Sequence, residues 1–394
     1  MFMRSLNAHS FKIKKIGSFG RKQILAVRKY GSSEKLLNLL HCEMENRTRA
    51  VRTSAMPYTA IVDVTNICNL RCPGCPTGLG LKGRQGTFLD LRHLRTFLDQ
   101  TADALIIANL FNWGESSLHP EAADIVSSVH ERGIFTSISS NLNIRDPQRL
   151  EDLCDAGLDH LLVSVDGATE ASYSKYRRGG DFDLVLNNIR QLAAYKKRKR
   201  KTSPVIEWQL LAFRHLETEI IEASHLAKQV GAEWFTVRGA IAPAQFQPTD
   251  AALQGNVYNG KGPCNSLWRN ITLQSDGGIA PCCMIYGAND DFGHIESTPI
   301  RQLRNNERYL TARKLFKPQD KTTLDVDLRH PCLRCPIVHR QKHLAKVLAG
   351  HGELFTHEGF QSVIASADEL NTVATRFTLC EKSSALEAKS PDPS

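Results

Sequence analysis

Cys68, Cys72 and Cys75 stand in the run Thr65-Asn66-Ile67-Cys68-Asn69-Leu70-Arg71-Cys72-Pro73-Gly74-Cys75-Pro76, directly after the short apolar stretch Ala60 to Val64. Thiolates at this spacing can close around one metal cluster, but they supply only three ligands. A 4Fe-4S cube that only transfers electrons takes four protein ligands, so three leave one iron open to a small molecule. A zinc knuckle is the competing reading. Zinc usually recruits a fourth Cys or His close by, and none lies within reach in sequence.

A second group of thiols begins at Pro263-Cys264 and continues through Trp268, Ile271-Thr272-Leu273, Ser275-Asp276-Gly277-Gly278 and Pro281-Cys282-Cys283. Asp276-Gly277 signals a tight turn, so a hairpin is predicted that brings Cys264 and Cys282 together. Cys332 and Cys335 add a Cys-x2-Cys pair, completing a four-thiolate site whose local chemistry suits zinc as well as iron-sulfur. Cys42, Cys154 and Cys380 have no motif company and read as buried or incidental thiols. His339 and His343 lack a third ligand and read as part of a solvated helix.

These residues need a scaffold. From Tyr58 onward, β-branched runs alternate with amphipathic stretches, the pattern of a parallel α/β sheet or barrel. The predicted strands are Ala60 to Thr65, Ala104 to Asn109, Ile134 to Ser139, His160 to Val165, Val205 to Leu211 and Trp234 to Arg238. Helices are predicted over Leu89 to Gln100, Pro120 to Arg132, Asp146 to Ala156, Phe182 to Lys196 and Leu216 to Val230, with another near Pro299 to Phe316. Chemistry in parallel barrels sits on loops at the C-terminal ends of the strands. The cysteine loop follows the first strand, Asn112-Trp113-Gly114-Glu115 the second, Ser139-Ser140-Asn141 the third and Ser164-Val165-Asp166-Gly167 the fourth, so all four share one rim.

Taken together, the motifs resemble the radical S-adenosylmethionine (radical SAM) enzymes from Tyr58 to about Arg238. The resemblance implies a partial (β/α)6 TIM-like barrel whose open iron chelates the amino and carboxylate groups of SAM. One departure is Gly74, where the family often has an aromatic residue. By the same resemblance, Gly114 and Glu115 hold the methionine amino group. Ser139, Ser140 and Asn141 reach the ribose or methionine end, and Ser164 with Arg177 grips the SAM carboxylate, with Asp166 beside them. The order Cys264, Gly277, Cys282, Cys332, Cys335 resembles the SPASM/twitch C-terminal region. Only Cys380 follows Cys335, which implies the shorter version with one auxiliary cluster and two 4Fe-4S clusters in all.

The reaction expected from this resemblance is hydrogen abstraction by a 5'-deoxyadenosyl radical, with an alcohol of a carbohydrate or cyclitol oxidised. Alternatives are a radical epimerase with Cys283 as hydrogen donor, an enzyme that modifies ribosomal peptides, and a non-enzymatic zinc or iron-sulfur protein with a basic arm. Sulfatase-maturing relatives carry an aspartate where this chain has Cys283, and no added peptide-recognition domain is visible at the N-terminus; both favour a small or carbohydrate substrate. Arg214 and Arg238, at or just after the ends of the fifth and sixth strands, are candidate substrate contacts. A reduced flavodoxin or ferredoxin is the expected electron donor.

Composition fits this reading. The 394 residues, 41% hydrophobic and 23% charged, can bury a barrel-sized core and a smaller domain. The expected divisions are a basic arm over 1–56, the barrel over 57–245, an auxiliary-cluster domain over 260–340 and an extension over 341–394 whose tail from Glu381 is too polar to fold. No apolar stretch reaches membrane-span length and no secretory signal is apparent, so a cytoplasmic location is expected. Eight of the 11 cysteines fall in motif positions, which suits metal ligation in a reducing compartment. Residues 1–53 hold 12 Lys and Arg against 3 Glu, and the other 38 basic and 38 acidic residues cancel. Phe11 to Ile16 and Ile24 to Lys29 mix apolar and basic residues, as helices packed on the barrel or weakly touching a membrane surface would. The run Lys196 to Lys201 reads as a solvated helix end complementing the helix dipole, so no specific nucleic-acid partner is expected.

Overall fold

Each short β-branched run pairs with the next in parallel because the intervening amphipathic helix carries the chain back to the same end of the sheet. The computed structural model describes residues 18–239, 243–250, 253, 264–317, 329–335 and 337. Six parallel strands form the barrel wall: β1 (Thr59–Val62), β2 (Ile107–Asn109), β3 (Phe135–Ser140), β4 (His160–Ser164), β5 (Val205–Leu211) and β6 (Trp234–Arg238). The helices α1 (Ser18–Tyr30) and α2 (Ser33–Arg47) precede β1, and α3 (Leu91–Thr101), α4 (Ala122–His130), α5 (Gln148–Asp155), α6 (Glu170–Tyr176), α7 (Phe182–Arg198) and α8 (Ile220–Val230) connect the strands. Beyond them come β7 (Asn270–Leu273), β8 (Gly278–Ala280) and β9 (Gly293–His294).

The sheet order is β6-β5-β4-β3-β2-β1-β7-β8-β9. The hairpin that carries Cys282 therefore extends the barrel sheet: β7 lies parallel to β1 with Ala60 opposite Ile271 and Val62 opposite Leu273. The turn at Asp276-Gly277 is present, with Gly277 at φ +90°, where a side chain would be strained. The predicted helix over Pro299 to Phe316 is two helices, Ile300–Leu303 and Glu307–Lys314, because Asn306 caps the second by accepting from the Tyr309 N–H.

At the base of the barrel, α1 packs Ala26 against Ile106, Ile107 and Phe135 at the starts of β2 and β3. Its Lys22 enters the barrel and donates to Asn109 at 2.7 Å. The polar contacts continue across the strands from Ser137 to His160 (2.8 Å), His160 to Glu207 (2.9 Å) and Thr236 to Glu207 (2.6 Å). Burial lowers Lys22 to about 8, with Glu207 pulling the other way. The basic residues of Ile24 to Lys29 and its neighbours are thus only partly solvated: Lys29 pairs with Asp159 at 2.5 Å and Lys35 donates to the Gly133 carbonyl. Lys196 of the cationic run is likewise buried against Glu233 rather than solvated. Phe11 to Ile16, His339, His343, Cys380 and the tail lie outside the described residues.

Candidate functional site

The cysteine loop is braced before it reaches its first thiol. The Thr65 hydroxyl donates to the Thr87 carbonyl at 2.8 Å and accepts from the Ile67 N–H at 3.1 Å, while Asn66 exchanges two hydrogen bonds with Gln85 and Thr87. The chain then turns on itself, the Cys75 N–H donating to the Cys72 carbonyl at 3.2 Å. Gly78 allows a close approach, since a Cβ there would lie 2.6 Å from the Cys72 nitrogen. Two rim side chains reach the sulfurs: Asn141 Nδ2 lies 3.8 Å from Cys68 Sγ and Arg177 Nη1 4.0 Å from Cys72 Sγ. Burial, reinforced by Glu115 and the other two thiols, pushes Cys68 up to about 12. One buried and two partly buried thiols on a single loop would need a cationic partner to ionise together, so the donor set fits an iron-sulfur cluster.

Gly74 has a local explanation. Tyr176 of α6 fills the space beside it, and a Cβ at Gly74 would lie 2.7 Å from the Tyr176 hydroxyl. Tyr176 itself packs at 4.1 Å against Phe213. The aromatic surface absent from the loop is supplied by another element.

Gly114 and Glu115 sit directly against the cysteine loop. A side chain at Gly114 would collide with the carbonyls of Thr65 and Ile67, and the Glu115 N–H donates to the Ile67 carbonyl at 2.9 Å. The buried Glu115 carboxylate accepts from the Ser117 hydroxyl (2.6 Å), the Ser117 N–H (3.2 Å) and the Asn141 N–H (2.7 Å). It therefore ties the β2 loop to the β3 loop. Ser139 and Ser164 approach within 3.4 Å, whereas the Ser140 hydroxyl turns into its own loop and accepts from the Leu142 N–H. Arg177 donates to Asp166 at 2.6 Å, and the other Asp166 oxygen accepts from the Leu211 N–H at 2.7 Å. Burial opposes the charge of Arg177, but Asp166 and then Cys72 outweigh it and raise its pKa. Arg214 is exposed and donates to the Gln247 carbonyl, and Arg238 ends β6 opposite Leu211.

Cys282, just after β8, lies near enough to Cys264, Cys332 and Cys335 for the four thiols to act on one another electrostatically. Burial, then Cys283, Cys264, Cys332 and Cys335 in turn, push the Cys282 thiol well above its usual range. Cys283 stands exposed next to it. Cys42 and Cys154 are buried and donate to the carbonyls of Trp268 and Ser203.

Several side chains that join the two thiol sites carry no local sequence signal. Arg84, buried in the loop after Cys75, pairs with Asp276 and with Asp291 (2.7 Å), fastening that loop to the hairpin. Trp113 donates to the Ile285 carbonyl at 3.1 Å and packs edge-on against Tyr286, whose hydroxyl donates to the Leu81 carbonyl. Asp63, at the end of β1, accepts from the Trp113 N–H at 3.0 Å, and burial raises it to about 7.

Residues 62–206 match the radical SAM superfamily, and residues 264–336 match the iron-sulfur cluster-binding SPASM domain. The chain is 28% identical over 257 residues to the PqqA peptide cyclase of Gluconobacter oxydans (strain 621H), a match covering 57% of this chain and 70% of that one. Against the PqqA peptide cyclase of Bradyrhizobium diazoefficiens it is 25% identical over 165 residues, covering 42% of this chain and 39% of the relative. Among solved structures, Streptococcus suis SuiB bound to the precursor peptide SuiA superposes with a TM-score of 0.52 at 12% identity, over 78% of this chain and 75% of SuiB. That likeness establishes the shared fold.

Proposed function

This chain belongs to the radical SAM superfamily and carries an iron-sulfur SPASM domain after the barrel, and from that premise we propose that it is a peptide-modifying enzyme. The observation that carries the peptide assignment is the alignment of 257 residues with a peptide cyclase. The relatives favour the peptide alternative over the carbohydrate or cyclitol expectation drawn from Cys283. When bound, SAM and a reduced cluster supply a 5'-deoxyadenosyl radical able to take hydrogen from an unactivated C–H bond.

Cys68, Cys72 and Cys75 would hold the SAM-binding cluster, and Asn141 and Arg177 would direct N–H groups at two of its sulfurs. Glu115 would accept from the methionine amino group while keeping Asn141 in place, and Gly114 lets the two loops touch. Ser139 and Ser164, side by side on the rim, would bind the ribose or carboxylate end. Cys264, Cys282, Cys332 and Cys335 would hold the auxiliary cluster.

The test is anaerobic reconstitution, reduction with dithionite, and analysis of 5'-deoxyadenosine together with the mass of peptides encoded beside the gene. A peptide that loses two hydrogens and gains a cross-link supports the proposal. A sugar alcohol that loses two hydrogens instead would overturn the peptide reading, and absence of 5'-deoxyadenosine would overturn the radical chemistry.

A further inference from the structure

The basic N-terminal segment of this chain and several exposed large apolar side chains meet at one element, the α1–α2 hairpin. Of the seven large apolar side chains exposed among the described residues, four belong to it: Ile24 (55%), Leu37 (67%), Leu40 (64%) and Met44 (58%). Leu37, Leu40 and Met44 follow the i, i+3, i+7 spacing and share one face of α2. The opposite face is committed to the fold, with Lys35, Cys42, Glu45 and Asn46 buried. An apolar stripe left outside by a helix that already buries its other side marks an interaction surface.

Charge identifies the partner. Arg28, Arg47 and Arg52 are exposed with no carboxylate partner among the described residues. Of the acidic residues on α2, Glu43 is paired with Arg269, Glu45 is buried, and Glu34 alone is exposed. Residues 1–17, which lead into α1, carry Arg4, Lys12, Lys14 and Lys15 and no acidic residue. A second copy of this chain would bring like charges together across the stripe. An anionic surface that also accepts apolar side chains satisfies both features at once.

We infer that the α1–α2 face docks on an anionic lipid bilayer, as an interfacial helix lying in the headgroup plane. Placement in the fold agrees. α1 covers the starts of β2 and β3, and its Lys29 is paired to Asp159 just before β4. The cysteine loop follows the ends of the strands, so the docked molecule turns its rim away from the membrane and keeps it accessible.

The inference goes beyond the proposed reaction and is tested without it. The full chain should co-sediment with vesicles containing about a third phosphatidylglycerol and stay in solution with pure phosphatidylcholine, and raising salt should release it. Leu37→Ser/Leu40→Ser/Met44→Ser should weaken partitioning at least about tenfold with unchanged circular dichroism, since those side chains are exposed. Arg28→Glu/Arg47→Glu, which leaves the stripe intact, should also weaken it. Equal partitioning of wild type and the triple Ser variant would overturn the inference. So would a dimer seen in sedimentation that the triple Ser change abolishes, because the stripe would then belong to a second copy.

Discussion

Replacing Arg177 with Gln should damage this protein through Asp166. The Asp166 side chain is fully buried, and its two oxygens rely on Arg177 at 2.6 Å and the Leu211 N–H at 2.7 Å. Removing the guanidinium leaves a buried carboxylate with one neutral donor, a lesion that typically costs about 3–5 kcal/mol. In a body of this size that lowers the thermal midpoint by roughly 5–10 °C. Burial already holds the Asp166 carboxyl above its usual range with Arg177 opposing, and without the guanidinium it can relieve part of the cost by taking up a proton at a still higher pKa. The gap between variant and wild type then opens above the folded pKa of the wild-type carboxyl and grows by ~1.4 kcal/mol per pH unit up to the higher pKa of the variant. The gap between variant and wild type should therefore narrow as the pH is lowered from 8 to 5. Asp166→Asn/Arg177→Gln, which removes the charge as well, should recover at least half of the loss. Thermal unfolding of the anaerobic protein at both pH values measures all of this. A single variant within 1 kcal/mol of wild type, or a double variant no better than the single, would refute the argument that the ion pair holds this corner of the rim.

Other outcomes follow from features of the same site. Gly74→Ala should lose cluster content because its Cβ would lie 2.7 Å from the Tyr176 hydroxyl, and Tyr176→Phe in the same chain should restore it; iron analysis decides. Asp63, raised to about 7 by burial, keeps a proton in the folded state between about pH 4 and 7 that the unfolded chain releases, so stability falls as pH rises through that window. Asp63→Asn should abolish that slope and raise the thermal midpoint at pH 8. Replacing Cys68, Cys72 and Cys75 together with Ala should reduce bound iron from about eight atoms to about four. Cys283→Ala should retain most peptide-modifying activity, whereas an epimerase would stall in that variant and incorporate solvent deuterium in the wild type.

The elements that read clearly in the sequence are those whose signal is local. Val205–Leu211 and Trp234–Arg238 are strands to the residue, because β-branched, aromatic and aliphatic side chains predominate in both runs and the two pair in register, Glu207 opposite Trp234 and Leu211 opposite Arg238. β2 starts at Ile107 instead of Ala104 because the Ala104 and Leu105 N–H groups still bond to the Thr101 carbonyl at the end of α3. β1 stops at Val62 because the following residues form the brace that aims Cys68. The grouping of the thiols was legible by spacing, and Gly114 and Glu115, singled out by the family resemblance and by their place after a strand, lie against the cysteine loop. What was hidden depends on distant partners. Nothing near Gly74 announces that Tyr176, about a hundred residues later, fills its space. Nothing in Lys22 distinguishes a barrel plug from a solvated lysine. Arg84 looks like any loop arginine until the turn at Asp276 folds against it.

The pairing of β1 with β7 has a consequence for synthesis. The strand that leads into the cysteine loop gains its second neighbour only when residues 270–273 have left the ribosome, some two hundred residues after β1 itself. Until then Thr59–Val62 is an unprotected edge, open to pairing with whatever chain is nearby. High contact order of this kind slows folding. It also places a quality check on assembly: a nascent chain cut short before the hairpin keeps every cysteine of the first motif yet lacks the strand and the Asp276–Arg84 latch that steady it. Cluster loading of the first site should therefore be a late, post-translational event, coupled to completion of the C-terminal module.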